Sequence, residues 1–522
     1  MDNTIQGWAA LFFIVAVFWI CAVSGAERQK VKRRRKEAAK LLHEPVTYEN
    51  PNSASSARWA SDRLLKAAGL FRGKGWRIGY SSESGKVLRY PGPGHLLVVA
   101  GARKGKMVSV IAPAMLDRCE ASRIAIDPKG EFCAVTHERA AQFSNVVAVD
   151  PFGELKRKGV KGVKVVGFNP LAALDPKSLS FGGDVASLAE AIVWDEGNSI
   201  DRHFTDSARQ LVAAVIRVIV KHGGRNANLL AVREAICGNI FEFARKHVNG
   251  SDSVVRQALA RYAMKGAEES RELNSVISTA VVQTDFLAME GISQSLTATD
   301  GLRFADLKRK RMTVYVVLPL DKLASCGKWF RLMVAAAIGD LLKAGPGGLP
   351  VLCIVDEFFS IGPLKAFQTA MSQAAGAAGL QLWPVLQDLA QLQTMYPNQG
   401  WRTFLSNTAV KIFFGDSGDK DTAEYIAAMC GRRSMITVST TVRDDRSKDY
   451  GRELYDVDMT HSAGCGWEQL VQPHEVGRMN DGQMIVFCEK VPGPILAKRK
   501  PYFKGWEFAG QYGRNPYAPK GK

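Results

Sequence analysis

The chain has 522 residues, of which 46% are apolar and 23% charged, a balance that excludes a chain disordered throughout and leaves room for about two or three domains. Its formal net charge of +18 favours a polyanionic partner, such as nucleic acid or an anionic membrane surface. The nine cysteines are scattered singly, without a C-x-x-C pair, which argues against a zinc ribbon and against a disulfide framework.

An apolar segment near the start of the chain predicts a membrane anchor. Residues 8–23, "WAALFFIVAVFWICAV", contain no charge or proline, and with their neighbours they approach the ~20 residues that span a bilayer. A cleaved signal peptide would carry its basic residues before the apolar run, whereas here eight basic residues follow it within residues 28–40. By the positive-inside rule, we predict a single-pass anchor at residues 1–27 with the bulk of the chain cytoplasmic. Residues 28–90 are then a basic juxtamembrane segment and connector.

Beyond residue 90, short apolar runs alternate with stretches of helical length, which is typical of a parallel sheet with crossover helices. The predicted strands cover residues 96–100, 123–127, 146–150, 313–319, 351–357, 380–387, 410–414 and 483–487. A predominantly helical region separates the third strand from the fourth. We therefore predict an α/β domain in two parts, residues 91–177 and 300–522 with the C-terminal tail, interrupted by an all-α domain at 178–299.

The loop after the first of these strands resembles a phosphate-binding loop. The stretch "AGARKGKM" keeps the glycine-lysine pair of the pattern G-x-x-x-x-G-K-[ST] but replaces its first and last positions by Ala100 and Met107. Backbone N–H groups of such a loop, and the positive end of the helix after it, bind phosphate. Taken alone, the stretch also fits an ordinary basic turn between strand and helix. The candidate nucleotide-binding residues are Gly101, Ala102, Arg103, Lys104, Gly105, Lys106 and Met107.

Two carboxylates follow the apolar run "VLCIV" directly, as Asp356 and Glu357. P-loop ATPases use such a pair to hold Mg²⁺ and to orient the attacking water, so Asp356 is the candidate metal residue, acting through water, and Glu357 the candidate base. Gln387, directly after the next strand, is a candidate sensor of the γ-phosphate. Each feature has a plain structural alternative, an acidic strand end or a polar helix start, but their order in one predicted sheet favours a site for ATP and Mg²⁺.

The motifs in series resemble those of the TraG/TraD-type coupling proteins of type IV secretion, a family of P-loop ATPases for conjugative DNA transfer. Besides the apolar N-terminal segment, the motifs are "AGARKGKM", "IAIDPKGEF", "GFNPL", "HFTDSARQLVAAVI", "TVYVVLPLDKL", "CIVDEFFSIGPL", "LQLWPVLQDLAQLQTMY", "FLSNTAVKIFFG", "DTAEYIAAMCG" and "VQPHEVGRM" followed by "DGQMIVF". Together they cover about residues 91–500.

The resemblance implies a RecA-like P-loop NTPase domain with a parallel sheet, interrupted by an all-α domain. Members of the family commonly have two spanning helices around a periplasmic segment, whereas the residues of this chain predict one N-terminal transmembrane helix. It implies a membrane-anchored ATPase at the bacterial inner membrane, assembled as a homo-hexamer. Its substrate would be single-stranded DNA with a bound relaxase, which it recruits and helps translocate to a type IV secretion channel through contacts with the channel proteins.

Two departures from the family pattern concern chemistry. Met107 offers no oxygen ligand to Mg²⁺, and the arginine that relatives often carry before the strand at 380–387 aligns with Gly376. Unless Arg402, Arg432 or Lys129 substitutes for that arginine, hydrolysis is expected to be slow. The alternatives are a receptor that binds nucleotide but hydrolyses it poorly, and a coupling protein for protein effectors only.

The C-terminal stretch "KRKPYFKGWEF", residues 498–508, mixes basic and aromatic residues as nucleic-acid platforms do. Its composition fits a solvated tail better than such a platform.

Overall fold

The computed structural model describes residues 46–49, 56–194, 202–298, 301–374, 376, 378–415, 418–445 and 456–518. These residues belong to two compact units, one formed by the described parts of residues 1–58 and 430–471 and the other by those of 59–429 and 472–522. The predicted anchor at 1–27 and the basic run at 28–40 lie outside the described residues. Within the described ranges, no helix is both long and apolar enough to cross a membrane.

The strands, in chain order, are β1 (Val46–Glu49), β2 (Trp76–Ser81), β3 (Val87–Tyr90), β4 (His95–Val99), β5 (Ser122–Asp127), β6 (Asn145–Val149), β7 (Lys164–Val165), β8 (Met312–Val317), β9 (Val351–Val355), β10 (Leu380–Leu386), β11 (Thr408–Phe413), β12 (Arg432–Asp445), β13 (Asp456–Gln469), β14 (Gln483–Cys488) and β15 (Ile495–Lys498). All eight runs predicted as strands from the sequence are found among them.

The α-helices are α1 (Asp62–Ala67), α2 (Ala112–Leu116), α3 (Glu131–Ala141), α4 (Glu154–Arg157), α5 (Phe181–Ile192), α6 (Arg202–His222), α7 (Leu229–Cys237), α8 (Ile240–His247), α9 (Ser253–Ala263), α10 (Arg271–Thr284), α11 (Glu290–Leu296), α12 (Leu323–Lys343), α13 (Lys365–Thr369), α14 (Leu389–Met395), α15 (Gly400–Ser406), α16 (Lys420–Cys430) and α17 (Pro473–Val476).

The larger unit is built on one 12-stranded sheet with the order β3-β2-β15-β14-β11-β4-β10-β9-β5-β8-β6-β7. From β11 to β7 the neighbouring strands are parallel, whereas β14, β15, β2 and β3 extend the sheet with antiparallel pairs. This confirms the predicted α/β fold with a large parallel sheet. The antiparallel extension was not predicted, because β2, β3 and β15 are short and mix polar with apolar residues.

Burial explains why the central strands form. Every residue of β9 is at most 1% exposed, and an apolar run covered on both faces is the signature of a parallel strand between helices. Pro384 lies inside the equally buried β10 although it has no N–H to donate. It stands at the residue where pairing with β9 ends and pairing with β4 begins.

The chain between β7 and β8 is mostly helical and contains α5 to α11. In α6, Leu211, Val212, Val215 and Ile216 are at most 1% exposed, as the spacing of its apolar residues predicts. After β8, the long helix α12 returns along α5, so the helical segment packs on an element of the sheet domain.

The smaller unit contains a long two-stranded ribbon that the sequence did not predict. β12 and β13 pair in antiparallel register from Arg432 with Gln469 to Asp445 with Asp456, and β1 adds a third strand along β12. Serine, threonine, glycine and charged residues dominate the ribbon, so it lacks the apolar run by which a buried strand is recognised.

Asp340 in α12 gives a test of the packing between helices. The pKa of its carboxyl is raised to about 6, mainly by burial and also by Asp184, while Lys343 acts to lower it. The unfolded chain releases this proton near pH 4, so the free energy of unfolding falls as the pH rises through the interval between the two values and stays low above it.

We expect Asp340→Asn to raise the free energy of unfolding by about 1–3 kcal/mol at pH 7.5, since a neutral amide escapes the cost of ionisation. The gain should shrink as the pH falls towards 4. Thermal unfolding of both proteins at pH 7.5 and 4.5 measures it, with exposed Glu120→Gln as the control for loss of one charge. An equal gain at both pH values would contradict the raised pKa of Asp340.

Candidate functional site

Four neighbouring strands of the large sheet end at one edge. β4, β10, β9 and β5 are adjacent and parallel, so the residues that follow them lie side by side. These are the 100–106 loop after β4, Gln387 after β10, Asp356 and Glu357 after β9, and Lys129 after β5. The structure thus brings the predicted site residues to the same edge.

The loop after β4 is tightly folded. The N–H of Ala100 donates to the carbonyl of Leu386 over 3.0 Å, which ties the start of the loop to the end of β10. Arg103 (φ 60°) and Gly105 (φ 80°) have left-handed backbone, a geometry that turns N–H groups into one concavity. At Met107 a π-helical turn begins and continues as α2.

The side chains of this loop face in different directions. Ala102 and Arg103 are exposed, and Gly101, Lys106 and Met107 are buried. Lysine is rarely buried unless it has a partner, and Lys106 is only 9% exposed. We therefore expect a negatively charged group near its ammonium group inside the site.

That negative charge is Glu357. Its Oε1 lies 4.0 Å from Lys106 Nζ and 3.8 Å from Lys129 Nζ, and its Oε2 accepts a hydrogen bond from Gln387 Nε2 at 3.2 Å. Two cations and one amide from three different loops therefore converge on a single carboxylate. We call Lys106, Lys129, Asp356, Glu357 and Gln387 the Glu357 cluster.

Glu357 has an unusual backbone. Its φ of 49° and ψ of 47° lie in the left-handed region, which costs a residue other than glycine about 1–2 kcal/mol. Directly after it, residues 358–361 form a short 3₁₀ turn. The turn reverses the chain after β9 and leaves the Glu357 carboxylate at the sheet edge. Packing in the fold thus overrides the preference of a glutamate for right-handed backbone.

Asp356 is more deeply buried than its neighbour, at 5% exposure. The pKa of its carboxyl is raised to about 6, mainly by burial and also by the adjacent Glu357, while Lys106 and Lys129 act in the opposite direction. Within the described residues, no group of three or more His, Cys, Asp or Glu side chains could hold a metal ion. Asp356 is thus a buried carboxylate influenced by two nearby cations, Lys106 and Lys129.

The motif "DPKGE" after β5 places Lys129. The carboxylate of Asp127 accepts hydrogen bonds from the N–H groups of Glu131 and Cys133, both at 3.0 Å, and Gly130 has φ 62°. Burial raises the pKa of Asp127 to about 7.

The near-copy "DPFGE" after β6 repeats this turn. Asp150 accepts from the N–H groups of Glu154 and Leu155, and Gly153 has φ 65°. Both motifs are thus capping turns at helix starts, and the one that ends at the site carries a lysine where the other carries Phe152. That difference was the available sequence signal for Lys129.

The other basic residues considered as substitutes for the missing arginine are placed differently. Arg402 lies on α15 with its guanidinium 5.5 Å from the ring of Trp401, and Arg432 opens β12 in the other compact unit. Gly376 precedes β10, and its carbonyl accepts a hydrogen bond from Gly379.

One buried cation at the loop was missed by the sequence analysis. Arg499, directly after β15, is 8% exposed and donates through Nη1 to the carbonyl of Lys104. Nothing in the local sequence "AKRKP" indicates this contact, which joins residues 395 positions apart.

Solved structures with the same fold include the plasmid coupling protein TrwB in complex with the non-hydrolysable GTP analogue GDPNP (TM-score 0.62, 15% identity, covering 87% of this chain and 97% of that chain). TrwB in complex with ADP and Mg²⁺ is similar to the same degree (TM-score 0.62, 14% identity, 87% and 97%). At this identity the likeness establishes the fold.

Sequence comparison extends the likeness to named relatives. Protein VirD4 of Agrobacterium fabrum is 26% identical over 472 residues, which cover 88% of this chain and 67% of VirD4. The conjugal transfer protein TraG of Escherichia coli is 26% identical over 528 residues, which cover 91% of this chain and 80% of TraG. The chain thus spans about two thirds of the length of VirD4.

A family model described as "Type IV secretory system Conjugative DNA transfer" matches residues 46–518, nearly the whole of the described chain. This match confirms the resemblance drawn from the motif series. The chain therefore belongs to the type IV secretory system conjugative DNA transfer family.

Proposed function

We propose that this coupling protein is an ATPase of RecA-like P-loop type that binds ATP with Mg²⁺ and couples hydrolysis to substrate transfer. The observation that carries the proposal is the Glu357 cluster, in which three loops of neighbouring parallel strands place two lysines and two carboxylates together. The nucleotide complexes of TrwB, a protein of the same fold, support it.

The chain offers a defined role for each residue. The loop residues 101–107 would receive phosphate oxygens on their N–H groups, and Lys106 would place its charge at the β- and γ-phosphates. Lys106 would then exchange its contact with Glu357 for one with phosphate. Glu357 Oε1, which also faces Lys129, would then accept a proton from the attacking water, while Gln387 orients the same water.

The described residues fit Mg²⁺ as this ion is bound beside nucleotides. Mg²⁺ takes one or two carboxylates together with waters and phosphate oxygens rather than a cage of protein ligands, and Asp356 is a buried carboxylate that would contact the ion through water. Met107 contributes no oxygen, so a water molecule would replace the usual hydroxyl. When bound, the ion neutralises charge that develops on the phosphate oxygens.

Lys129 is the strongest candidate to replace the arginine that relatives often carry at the position of Gly376. It already lies 3.8 Å from the Glu357 carboxylate, and its side chain, about a third exposed, can reach a phosphate bound beside Lys106. It contributes the charge of an arginine without the planar fork, so we expect turnover at the slow end of the family. The missing arginine is also the observation behind the second candidate function, a receptor that binds nucleotide but hydrolyses it poorly.

We further propose the biological setting that the sequence predicted. Residues 1–27 would anchor the chain in the bacterial inner membrane with its bulk in the cytoplasm, where it forms a homo-hexamer. The substrate would be a relaxase bound to single-stranded DNA, delivered to the proteins of a type IV secretion channel. Transfer of protein effectors alone remains the alternative for the cargo.

Two substitutions separate binding from turnover. Lys106→Ala should weaken ATP binding about tenfold to a hundredfold through loss of a charge-assisted contact, whereas Glu357→Gln should retain binding and lower kcat about 10²- to 10⁴-fold. Isothermal titration and phosphate release on the full chain in detergent measure both. Lys74→Ala, at an exposed lysine of the same unit, is the control. A wild type that binds ATP but turns over no faster than Glu357→Gln would support the receptor instead.

The left-handed backbone of Glu357 predicts a conflict between stability and activity, as expected of strain held at a functional site. Glu357→Gly and Glu357→Ala both remove the carboxylate, but only glycine adopts this backbone without cost. We expect the Gly variant to be about 1 kcal/mol more stable to unfolding than the Ala variant, with both inactive. Urea unfolding of the two variants side by side measures the difference. Equal stability, or a more stable Ala variant, would show that this backbone is not strained.

DNA as cargo predicts binding that depends on salt. We expect single-stranded DNA to bind the full chain with a log–log salt slope of about −0.7 per phosphate contacted. Fluorescence anisotropy with a labelled oligonucleotide between 50 and 300 mM salt, roughly the range over which such slopes are resolved, tests it. Absence of salt-sensitive binding would favour protein effectors as the only cargo.

A further inference from the structure

The described chain after β15 crosses the same sheet edge as the site. β15 is antiparallel to β14, and β14 is antiparallel to β11, which is parallel to β4. β15 therefore runs in the direction of β4 and ends at the edge where the 100–106 loop begins. We call residues 499–518 the C-terminal strap. Contrary to the solvated tail expected from its composition, it is attached along its length.

The first attachment is at the phosphate-loop candidate. The guanidinium of Arg499 donates through Nη1 to the carbonyl of Lys104 and through Nε to the carbonyl of Gln483 at 3.3 Å. It lies 4.1 Å from the centre of the Phe414 ring, and Nη2 is 3.7 Å from Asp481 Oδ1. Arg499 thus bonds the loop carbonyl while its guanidinium also contacts Gln483, Phe414 and Asp481.

The strap and the loop also share a cavity. Its volume is about 470 Å³, and it is lined by loop residues 102–105 and, from the strap side, by Asp481, Arg499 and Pro501. A displacement of Arg499 or Pro501 would therefore change the shape of the cavity beside the loop.

The middle of the strap is packed rather than solvated. Tyr502 and Phe508 are 3% and 4% exposed. Glu507 forms an ion pair with Arg77 at 2.7 Å and accepts a hydrogen bond from the Tyr80 hydroxyl at 2.7 Å. Trp506, between these anchors, is 90% exposed and serves below as a control position.

The second attachment is at α3, the helix that begins directly after the loop that carries Lys129. The N–H of Gly513 donates to the carbonyl of Val135 at 2.8 Å, and Asn515 Nδ2 donates to Glu131 Oε1 at 2.7 Å.

The last contact reaches the lysine's own backbone. The Tyr517 hydroxyl donates to the carbonyl of Lys129 at 3.4 Å, and Lys158 Nζ donates to that carbonyl and to the Tyr517 oxygen. The strap therefore holds, by separate contacts, the two loops whose lysines face Glu357.

We propose that the C-terminal strap is a positioning element for nucleotide turnover, with Arg499 and Tyr517 as its positioning residues. Arg499 sets the 100–106 loop for phosphate binding, and Tyr517 sets Lys129 against Glu357. The proposal rests on the proposed ATPase function. Its physical basis is that a displacement of about 1 Å in a positioned charge can cost about 10²-fold in rate, and both lysines sit on loops that the sheet holds at one end only.

The test compares Arg499→Lys, Tyr517→Phe and the control Trp506→Ala in the full chain. Arg499→Lys keeps the charge but loses the fork that bonds two carbonyls, so the Kd for a non-hydrolysable ATP analogue should rise about tenfold. Tyr517→Phe removes one hydroxyl at the surface, so kcat should fall about two- to tenfold while KM stays unchanged. Trp506→Ala should match the wild type in Kd, KM and kcat.

Hydrogen exchange on the nucleotide-free proteins separates this inference from the proposed function. Arg499→Lys should speed exchange in residues 101–106 and leave exchange in 128–131 unchanged. Tyr517→Phe should speed exchange in 128–131 and leave 101–106 unchanged. The midpoint of thermal unfolding of Tyr517→Phe should equal that of the wild type. These results support the strap even if the wild type fails to hydrolyse ATP. The proposal would be overturned if both variants exchanged like the wild type in both loops. It would also be overturned if the binding and turnover of both variants stayed within twofold of wild type. If Arg499→Lys unfolds, Tyr517→Phe decides alone.

Discussion

The convergence of Lys106, Lys129 and Gln387 on the carboxylate of Glu357 is the interaction on which the rest of the site depends. No single loop could produce it, because each partner follows a different strand of the sheet. It requires β4, β10, β9 and β5 to be adjacent and parallel, and it requires Glu357 to accept a left-handed backbone. The fold is thus organised around holding opposite charges close together at one edge, in an arrangement that a bound phosphate can enter.

The parts predictable from sequence were those with a strong local signal. Buried parallel strands are continuous apolar runs, so β9 and its neighbours could be recognised, and the order of strand, loop and carboxylate pair indicated which residues would meet. Asp356, Glu357, Gln387 and the 100–106 loop were named on this basis, and the structure brings them to one edge. Their chemical roles stay predictions.

The unpredicted parts depend on contacts between distant residues. The β12–β13 ribbon is polar, so it has no apolar periodicity to reveal it. Arg499 and Tyr517 lie in a basic, aromatic stretch that resembles a solvated tail, and only the direction of β15 takes them to the site. Lys129 was considered as a substitute cation, but its closeness to Glu357 follows from the pairing of β5 with β9, which the order of strands along the chain does not give.

The contact between Arg499 and the 100–106 loop has a consequence for the order of folding. Its two partners are 395 positions apart, so during synthesis the loop leaves the ribosome long before the residue that holds it. Until then, the glycine-containing loop and the buried lysine lack one wall of their surroundings. Such distant pairings form late and slowly. The growing chain is therefore expected to order the 100–106 loop fully only near the end of synthesis, once β15 has joined the sheet and brought Arg499 to the loop.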